Sequence, residues 1–242
     1  MVNNSKLLIP LDFDSTALAI ETASTLRNVV YGYKVGLQLI NSAGFDVFDL
    51  IREATGPDSK IFYDCKFHDI PNTVYGACKA AAGRGVWMLN VHATGGLDMM
   101  KSAVDGSRSG AVSGFDRPLV IAVTVLTSIS ENTLNGELHV SKNVRDYAKH
   151  LAVLAQKSGC DGVVASPQET AAIRSECGED FIIVTPGVRP LGADMNDQKR
   201  VMTPEEAVGL GSNYLVVGRP ITAAKNPLLA ATEINRAVEM LN

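Results

Sequence analysis

Short runs of apolar, β-branched residues recur along the whole chain, separated by amphipathic stretches with helical spacing. Eight such runs predict strands at Leu7–Asp12, Tyr31–Gly36, Lys60–Lys66, Val86–His92, Leu119–Thr124, Gly162–Ser166, Phe181–Thr185 and Asn213–Gly218. Strands that alternate with helices pair in parallel through helical crossovers. Two of the helices are legible in detail. Ser141 is placed to cap a helix whose residues Val144, Tyr147, Leu151 and Leu154 share one face, with Gly159 closing it. Thr203-Pro204-Glu205-Glu206 supplies an N-cap, a proline at the first helical position and a capping-box glutamate.

Eight strand–helix units in 242 residues match the roughly 250 residues that a (β/α)₈ barrel needs. An open doubly wound sheet has the same local pattern, but its glycine-rich GxGxxG turn is missing after the first strand, where Leu11-Asp12-Phe13-Asp14-Ser15 stands. No linker or composition shift marks a second domain. The expectation is a single α/β domain, residues 1–242, closed as a (β/α)₈ TIM barrel.

Composition narrows the function classes. A net charge of −4 without a basic run argues against a sequence-independent grip on nucleic acid. The start, Met1-Val2-Asn3-Asn4-Ser5-Lys6, leads into too few apolar residues for a signal-peptide core, and no run is long enough to span a bilayer. The four cysteines, Cys65, Cys78, Cys160 and Cys177, form no CxxC pair and have no zinc-spaced histidine, so they read as buried residues of a reducing compartment. A cytoplasmic protein is expected.

In barrels of this kind the chemistry sits at the C-terminal ends of the strands. Those ends carry Asp12, Lys34, Asp64 with Lys66, His92, Thr124 to Thr127, Pro186 to Arg189, and Gly218-Arg219. Desolvating unpaired charges is costly, so a purely structural chain has no reason to gather them there. Residues two apart on a strand share a face, which aims Asp64 and Lys66 together at the barrel mouth; taken alone, the pair also fits a buried structural ion pair. Gly218-Arg219 occupies the usual phosphate position of such barrels, with glycine admitting the ligand to the backbone and arginine offering a planar fork. A surface salt bridge is the bland alternative for Arg219. The polar loop Leu191 to Arg200 is placed to close over a ligand, with Gln198 within reach of phosphate or base. His92 lacks a second strand-end histidine and an acidic pair to complete a metal site, so no metal is expected.

Asp64-x-Lys66-x-x-Asp69-Ile70-Pro71-Asn72-Thr73 resembles the active-site signature of the orotidine 5′-phosphate decarboxylases. Lys34-Val35-Gly36, Val123-Thr124-Val125-Leu126-Thr127-Ser128, Thr185-Pro186-Gly187-Val188-Arg189-Pro190, Asp197-Gln198-Lys199-Arg200 and Val217-Gly218-Arg219-Pro220-Ile221 follow in the family's order, so the resemblance covers nearly the whole chain. It implies decarboxylation of orotidine 5′-phosphate to uridine 5′-phosphate in pyrimidine biosynthesis, with neither metal nor organic cofactor. Lys66 would be the cation and proton donor at carbon 6, with Asp64, Asp69 and Lys34 completing the catalytic set. Asp12 and Lys34 would hold the ribose hydroxyls and Thr127 the pyrimidine amide edge; Arg189, Gln198, Gly218 and Arg219 belong to the phosphate side. The resemblance also implies a homodimer in which Asp69, Ile70 and Thr73 enter the neighbouring subunit's site. The small Ala77, Ala80, Ala81 and Ala82 on the following helix would permit the close approach.

Two rivals remain at this point. One is a sister barrel that uses Asp-x-Lys-x-x-Asp with magnesium on a keto-hexose phosphate, as decarboxylase or aldolase; Ile70-Pro71-Asn72-Thr73 and Asp197-Gln198 weigh against it. The other is a non-catalytic nucleotide-binding barrel, which would be expected to lose the function of Lys66 while keeping Arg219.

Overall fold

The computed structural model describes residues 5–190 and 202–239. Its strands are β1 Leu7–Pro10, β2 Gly32–Val35, β3 Lys60–Phe67, β4 Met88–His92, β5 Leu119–Val123, β6 Gly162–Val164, β7 Ile182–Pro186 and β8 Tyr214–Val216. All are parallel to their neighbours and follow one another in chain order. β8 pairs back onto β1, with Leu7 opposite Leu215 and Leu8 opposite Val216. That last pairing closes a (β/α)₈ barrel in one domain and removes the open-sheet alternative. Helices α1 Thr16–Leu26, α2 Leu37–Ala43, α3 Val47–Thr55, α4 Pro71–Ala82, α5 Gly96–Ser109, α6 Val144–Lys157, α7 Pro167–Cys177, α8 Pro204–Gly209, α9 Arg219–Thr222 and α10 Pro227–Glu239 make the crossovers and the outer ring.

Alternation along the strands divides the core in two. Leu7, Ile9, Tyr33, Ile61, Leu89, Val120 and Leu215 face outward and form one apolar cluster with the helices. The inward positions between them, Leu8, Phe62, Met88, Ile121 and Val184, fill the barrel interior. Below them Tyr31, Trp87 and Tyr214 close the N-terminal end, with ring centroids 4.9 to 5.2 Å apart. A barrel filled this way is a packed core rather than a channel, so within the barrel the open space lies toward the other end.

The strands stop short of several sequence boundaries because residues at the mouth are used elsewhere. Ser166, read as the end of β6, is the N-cap of α7. It accepts the Gln168 N–H, while Glu169 reaches back to the Ser166 N–H. Gly218, read as the end of β8, precedes the first residue of α9. Thr203 caps α8 in a full capping box, as its sequence predicts. The cap at α6 differs: Asn143, not Ser141, accepts the Asp146 N–H at 2.8 Å. Asn135 donates to the Lys142 carbonyl at 2.8 Å and so keeps the preceding residues outside the helix. Gly159, at φ +85, turns the chain out just beyond that helix. No helix among the described residues is long and apolar enough to cross a membrane.

Candidate active site

The inward positions of the upper strand ends line a single cavity of about 520 Å³, within the usual size for small-ligand pockets. Asp12, Lys34, Asp64, Lys66, Thr127, Arg189, Gly218 and Arg219 all border it. Four of these form a chain of alternating charge. Lys34 Nζ lies 2.9 Å from Asp12 Oδ1 and 3.2 Å from Asp64 Oδ2, and Lys66 Nζ lies 2.6 Å from Asp64 Oδ1. Burial alone would push the Asp64 pKa up, but the two ammonium groups and hydrogen bonds from Lys66 and Asn90 outweigh it and hold the carboxyl below its ordinary value. For Lys34, burial works downward, and the Asp64 and Asp12 carboxylates more than reverse it, so its pKa is raised. Both groups are therefore charged at neutral pH. The glycine of Lys34-Val35-Gly36 has a steric reason: a Cβ there would stand 2.8 Å from Lys34 Nζ and 3.1 Å from Asp12 Oδ1.

Lys66 and Asp64 face one another, but not through regular strand alternation. Between the pairs Tyr63–Leu89 and Phe67–Val91, β3 advances four residues while β4 advances two. Lys66 takes up the excess at φ +49, a left-handed conformation that costs a non-glycine residue about 1–2 kcal/mol. Its N–H leaves the ladder and donates instead to Asn90 Oδ1 at 2.6 Å, and Asn90 Nδ2 donates to Asp64 Oδ1 at 2.7 Å. Asn90 is fully buried. The sequence reading missed it, although one signal was available: an amide in the otherwise apolar run Met88-Leu89-Asn90-Val91.

Arg189 is buried, with its Nε lacking a hydrogen-bond partner among the described residues. Burial, and then the nearby positive charge of Arg219, lower its pKa. Two guanidinium groups on one cavity, next to the small Gly218, suit a dianion such as a phosphate monoester. Thr124 is structural, since its hydroxyl donates to the Val164 carbonyl at 3.0 Å. His92 packs its ring 5.5 Å from that of His68, and its pKa is lowered by burial and by the neighbouring His68 and Lys66. Gln198 and the rest of the Leu191 to Arg200 loop lie outside the described residues.

Three expected residues do not border the cavity of their own chain. Asp69 is exposed, and its carboxylate accepts the Ile70 N–H at 2.6 Å. Ile70 is 66% exposed, and Thr73 is exposed on the first turn of α4. Ala81 and Ala82 do not share that outward face, contrary to expectation. They are buried inside the chain, where α4 packs on α5 so tightly that a Cβ on Gly106 would collide with the Tyr75 main chain.

A closed parallel barrel with linked lysines and carboxylates, and an arginine pair at the C-terminal mouth, defines a TIM-barrel protein whose mouth carries a charged pocket suited to an anionic ligand. Residues 5–234 match the model of the Orotidine 5′-phosphate decarboxylase / HUMPS family, and the chain belongs to that family. The chain is 46% identical to an orotidine 5′-phosphate decarboxylase from Nostoc sp. over 236 residues, covering 97% of this chain and 98% of the relative. It is 50% identical to one from Syntrophotalea carbinolica over 230 residues, covering 95% and 93%. The solved orotidine 5′-phosphate decarboxylase from Lactobacillus acidophilus superposes with a TM-score of 0.85 at 39% identity, covering 97% of this chain and 99% of that one.

Proposed function

We propose that the chain is a carboxy-lyase that converts orotidine 5′-phosphate to uridine 5′-phosphate and CO₂ in the cytoplasmic synthesis of pyrimidine nucleotides. The observation that carries this reading is the linked Asp12–Lys34–Asp64–Lys66 chain, buried at Lys34 and Asp64, in the same cavity as Arg189 and Arg219. In the reaction the bond from carbon 6 to the carboxyl carbon breaks, and its electron pair stays in an in-plane orbital that the ring delocalises poorly. The Lys66 ammonium stabilises that charge and then gives carbon 6 its proton, while CO₂ leaves. Lys66 recovers a proton from solvent.

Asp64 faces the substrate carboxylate in this reading. Two unit charges about 4 Å apart repel by about 4 kcal/mol at an effective dielectric of 20. Here Asp64 is bound to both lysines, which offsets much of that repulsion and leaves the larger share of catalysis to Lys66. Asp12 and Lys34 hold the ribose hydroxyls, Thr127 the amide edge of the base, and Arg189, Gln198, Gly218 and Arg219 the phosphate. Asp69, Ile70 and Thr73 complete the site of a second subunit in a homodimer. Their exposure outside their own cavity supports that placement.

The test is to add orotidine 5′-phosphate to chelator-treated protein and follow the loss of the orotate absorbance. Steady turnover is expected. Turnover that appears only when magnesium is restored would favour the sister sugar-phosphate chemistry. Binding of uridine 5′-phosphate without any turnover would favour a nucleotide sensor.

A further inference from the structure

Lys66 stands on the irregular part of β3, and what holds it there comes from β4. The extra length of β3 between Tyr63 and Phe67 removes the Lys66 N–H from the ladder and turns its backbone to φ +49. One side chain answers both consequences. Asn90, 0% exposed, takes the Lys66 N–H on Oδ1 at 2.6 Å and donates from Nδ2 to Asp64 Oδ1 at 2.7 Å. That same carboxylate oxygen receives the Lys66 ammonium at 2.6 Å. The amide therefore grips Lys66 at both ends, at its main-chain nitrogen directly and at its ammonium through Asp64. Its orientation follows from chemistry alone, because an N–H needs an oxygen and an ionised carboxylate needs a donor. Cys65 adds a strap, its thiol donating to the Asn90 carbonyl at 3.0 Å.

We infer that Asn90 is a positioning residue for the decarboxylation: its amide sets the backbone turn at Lys66 and the rotation of the Asp64 carboxylate, and thereby where the Lys66 ammonium stands. This rests on the function proposed above. An amide of this size carries its acceptor and its donor on separate atoms at any working pH, as the two tasks require. Leucine or valine, like the flanking Leu89 and Val91, would leave the Lys66 N–H without an acceptor. An ionised aspartate would accept that N–H but has no proton for Asp64. Transition-state charge is stabilised only by a group already in place, so a shift of the ammonium by a fraction of an ångström is felt in kcat rather than in binding.

The experiment measures kcat per uridine 5′-phosphate-binding site for the wild type, Asn90→Ala and Asn90→Asp. For Asn90→Ala, kcat per site should fall by about 100-fold, while the Kd for uridine 5′-phosphate stays within roughly threefold. Counting binding sites removes any loss of folded protein from the result. In Asn90→Asp the introduced carboxyl, while protonated, has an O–H for Asp64 and a C=O for the Lys66 N–H. Burial and the Asp64 carboxylate push its pKa up, against the pull of the Lys66 and Lys34 ammonium groups. Activity should therefore approach wild type at low pH and fall as pH rises, through an ionisation that neither wild type nor Asn90→Ala shows. An unchanged kcat per site in Asn90→Ala overturns the inference. Should Asn90→Ala fail to fold, an Asn90→Asp pH profile parallel to the wild type's, whatever its height, overturns it. Absence of turnover in the wild type would instead remove the decarboxylase reading itself.

Discussion

The two ends of the barrel interior are built from the same strands and have opposite characters. Leu8, Phe62 and Met88 lie in the apolar plug, at most 1% exposed. Two residues further on, Pro10 and Asp64 line the cavity and Asn90 lies fully buried beneath it; four further on stand Asp12, Lys66 and His92. At a rise of about 3.3 Å per residue, the change from oil to charge takes about 7 Å. The lower end is held chiefly by shape, with one hydroxyl contact from Tyr214 to Tyr31. The upper end holds alternating charges that satisfy one another only in a fixed arrangement, and it keeps open the space in which a substrate completes them. Stability and chemistry thus occupy separate layers of one interior, which makes their separation testable.

The largest effect should come from the residue at the top of the charged chain. On the proposed mechanism, Lys66→Ala removes the cation that acts on charge developing in the transition state. Decarboxylation should fall by about a thousandfold or more, with uridine 5′-phosphate still bound. A variant with near-normal kcat and only a raised KM would break the assignment. The same variant sharpens the reading of Asp69. Lys66→Ala and Asp69→Asn homodimers, each inactive, should regain roughly a quarter of wild-type activity after subunit exchange. Half of the randomly exchanged dimers are mixed, and each mixed dimer has one site with native Lys66 and native Asp69. If exchange is complete and the mixture stays inactive, Asp69 serves its own chain.

A smaller loss is expected on the phosphate side of the cavity. Arg219→Ala should lower kcat/KM for orotidine 5′-phosphate by roughly 10- to 150-fold, the equivalent of about 1.5–3 kcal/mol for one charge-assisted contact. Orotidine without its phosphate should lose far less. Equal losses on the two substrates would make Arg219 a structural residue and return the anion site to Arg189 alone.

The barrel itself was legible because every strand carries its own apolar run, with amphipathic stretches between the runs. The charged residues were legible for the complementary reason. Lys34 between Tyr33 and Val35, and Asp64 and Lys66 within Tyr63–Phe67, interrupt runs that are otherwise apolar or aromatic. The bulge that brings Asp64 and Lys66 together was not legible, since no glycine marks it: a lysine takes the left-handed conformation, and its support comes from 24 residues away at Asn90. The cap of α6 was misplaced for a related reason. Ser141 and Asn143 are both competent caps, and the choice is made by Asn135, whose side chain holds the Lys142 carbonyl in the loop. In each case the local pattern was sound, and a contact from elsewhere in the chain chose between two acceptable outcomes. The outward face of α4 was misjudged because small residues suit a subunit interface and a tight intrachain helix contact equally well; Ala81 and Ala82 serve the second.

The smallest effect on activity should come from the closed end. Trp87 stacks obliquely on Tyr31 at 5.2 Å and meets Tyr214 edge-on at 5.1 Å, with all three rings half-buried. Truncating a fully buried aromatic residue to alanine costs about 3–5 kcal/mol. A half-buried ring loses less of its contact with neighbours, so Trp87→Ala should cost about 2 kcal/mol. For a chain of this size that lowers Tm by roughly 4–8 °C. The comparison requires equal protein concentrations, because the proposed dimerisation would also raise the apparent Tm. It is followed by circular dichroism, because Trp87 is the only tryptophan and the variant has none. Along β4, Trp87 and His92 are separated by about 17 Å of extended chain, and the Phe62–Met88 layer fills the space between. That layer is close-packed in a single arrangement, so a cavity below it is absorbed locally rather than passed upward. At a temperature where both proteins are folded, kcat and KM of Trp87→Ala should therefore match wild type within about twofold. A fall in kcat out of proportion to the loss of folded protein would mean that the plug helps to set the lysine–carboxylate geometry above it, and the two ends of the barrel would have to be treated as one coupled unit.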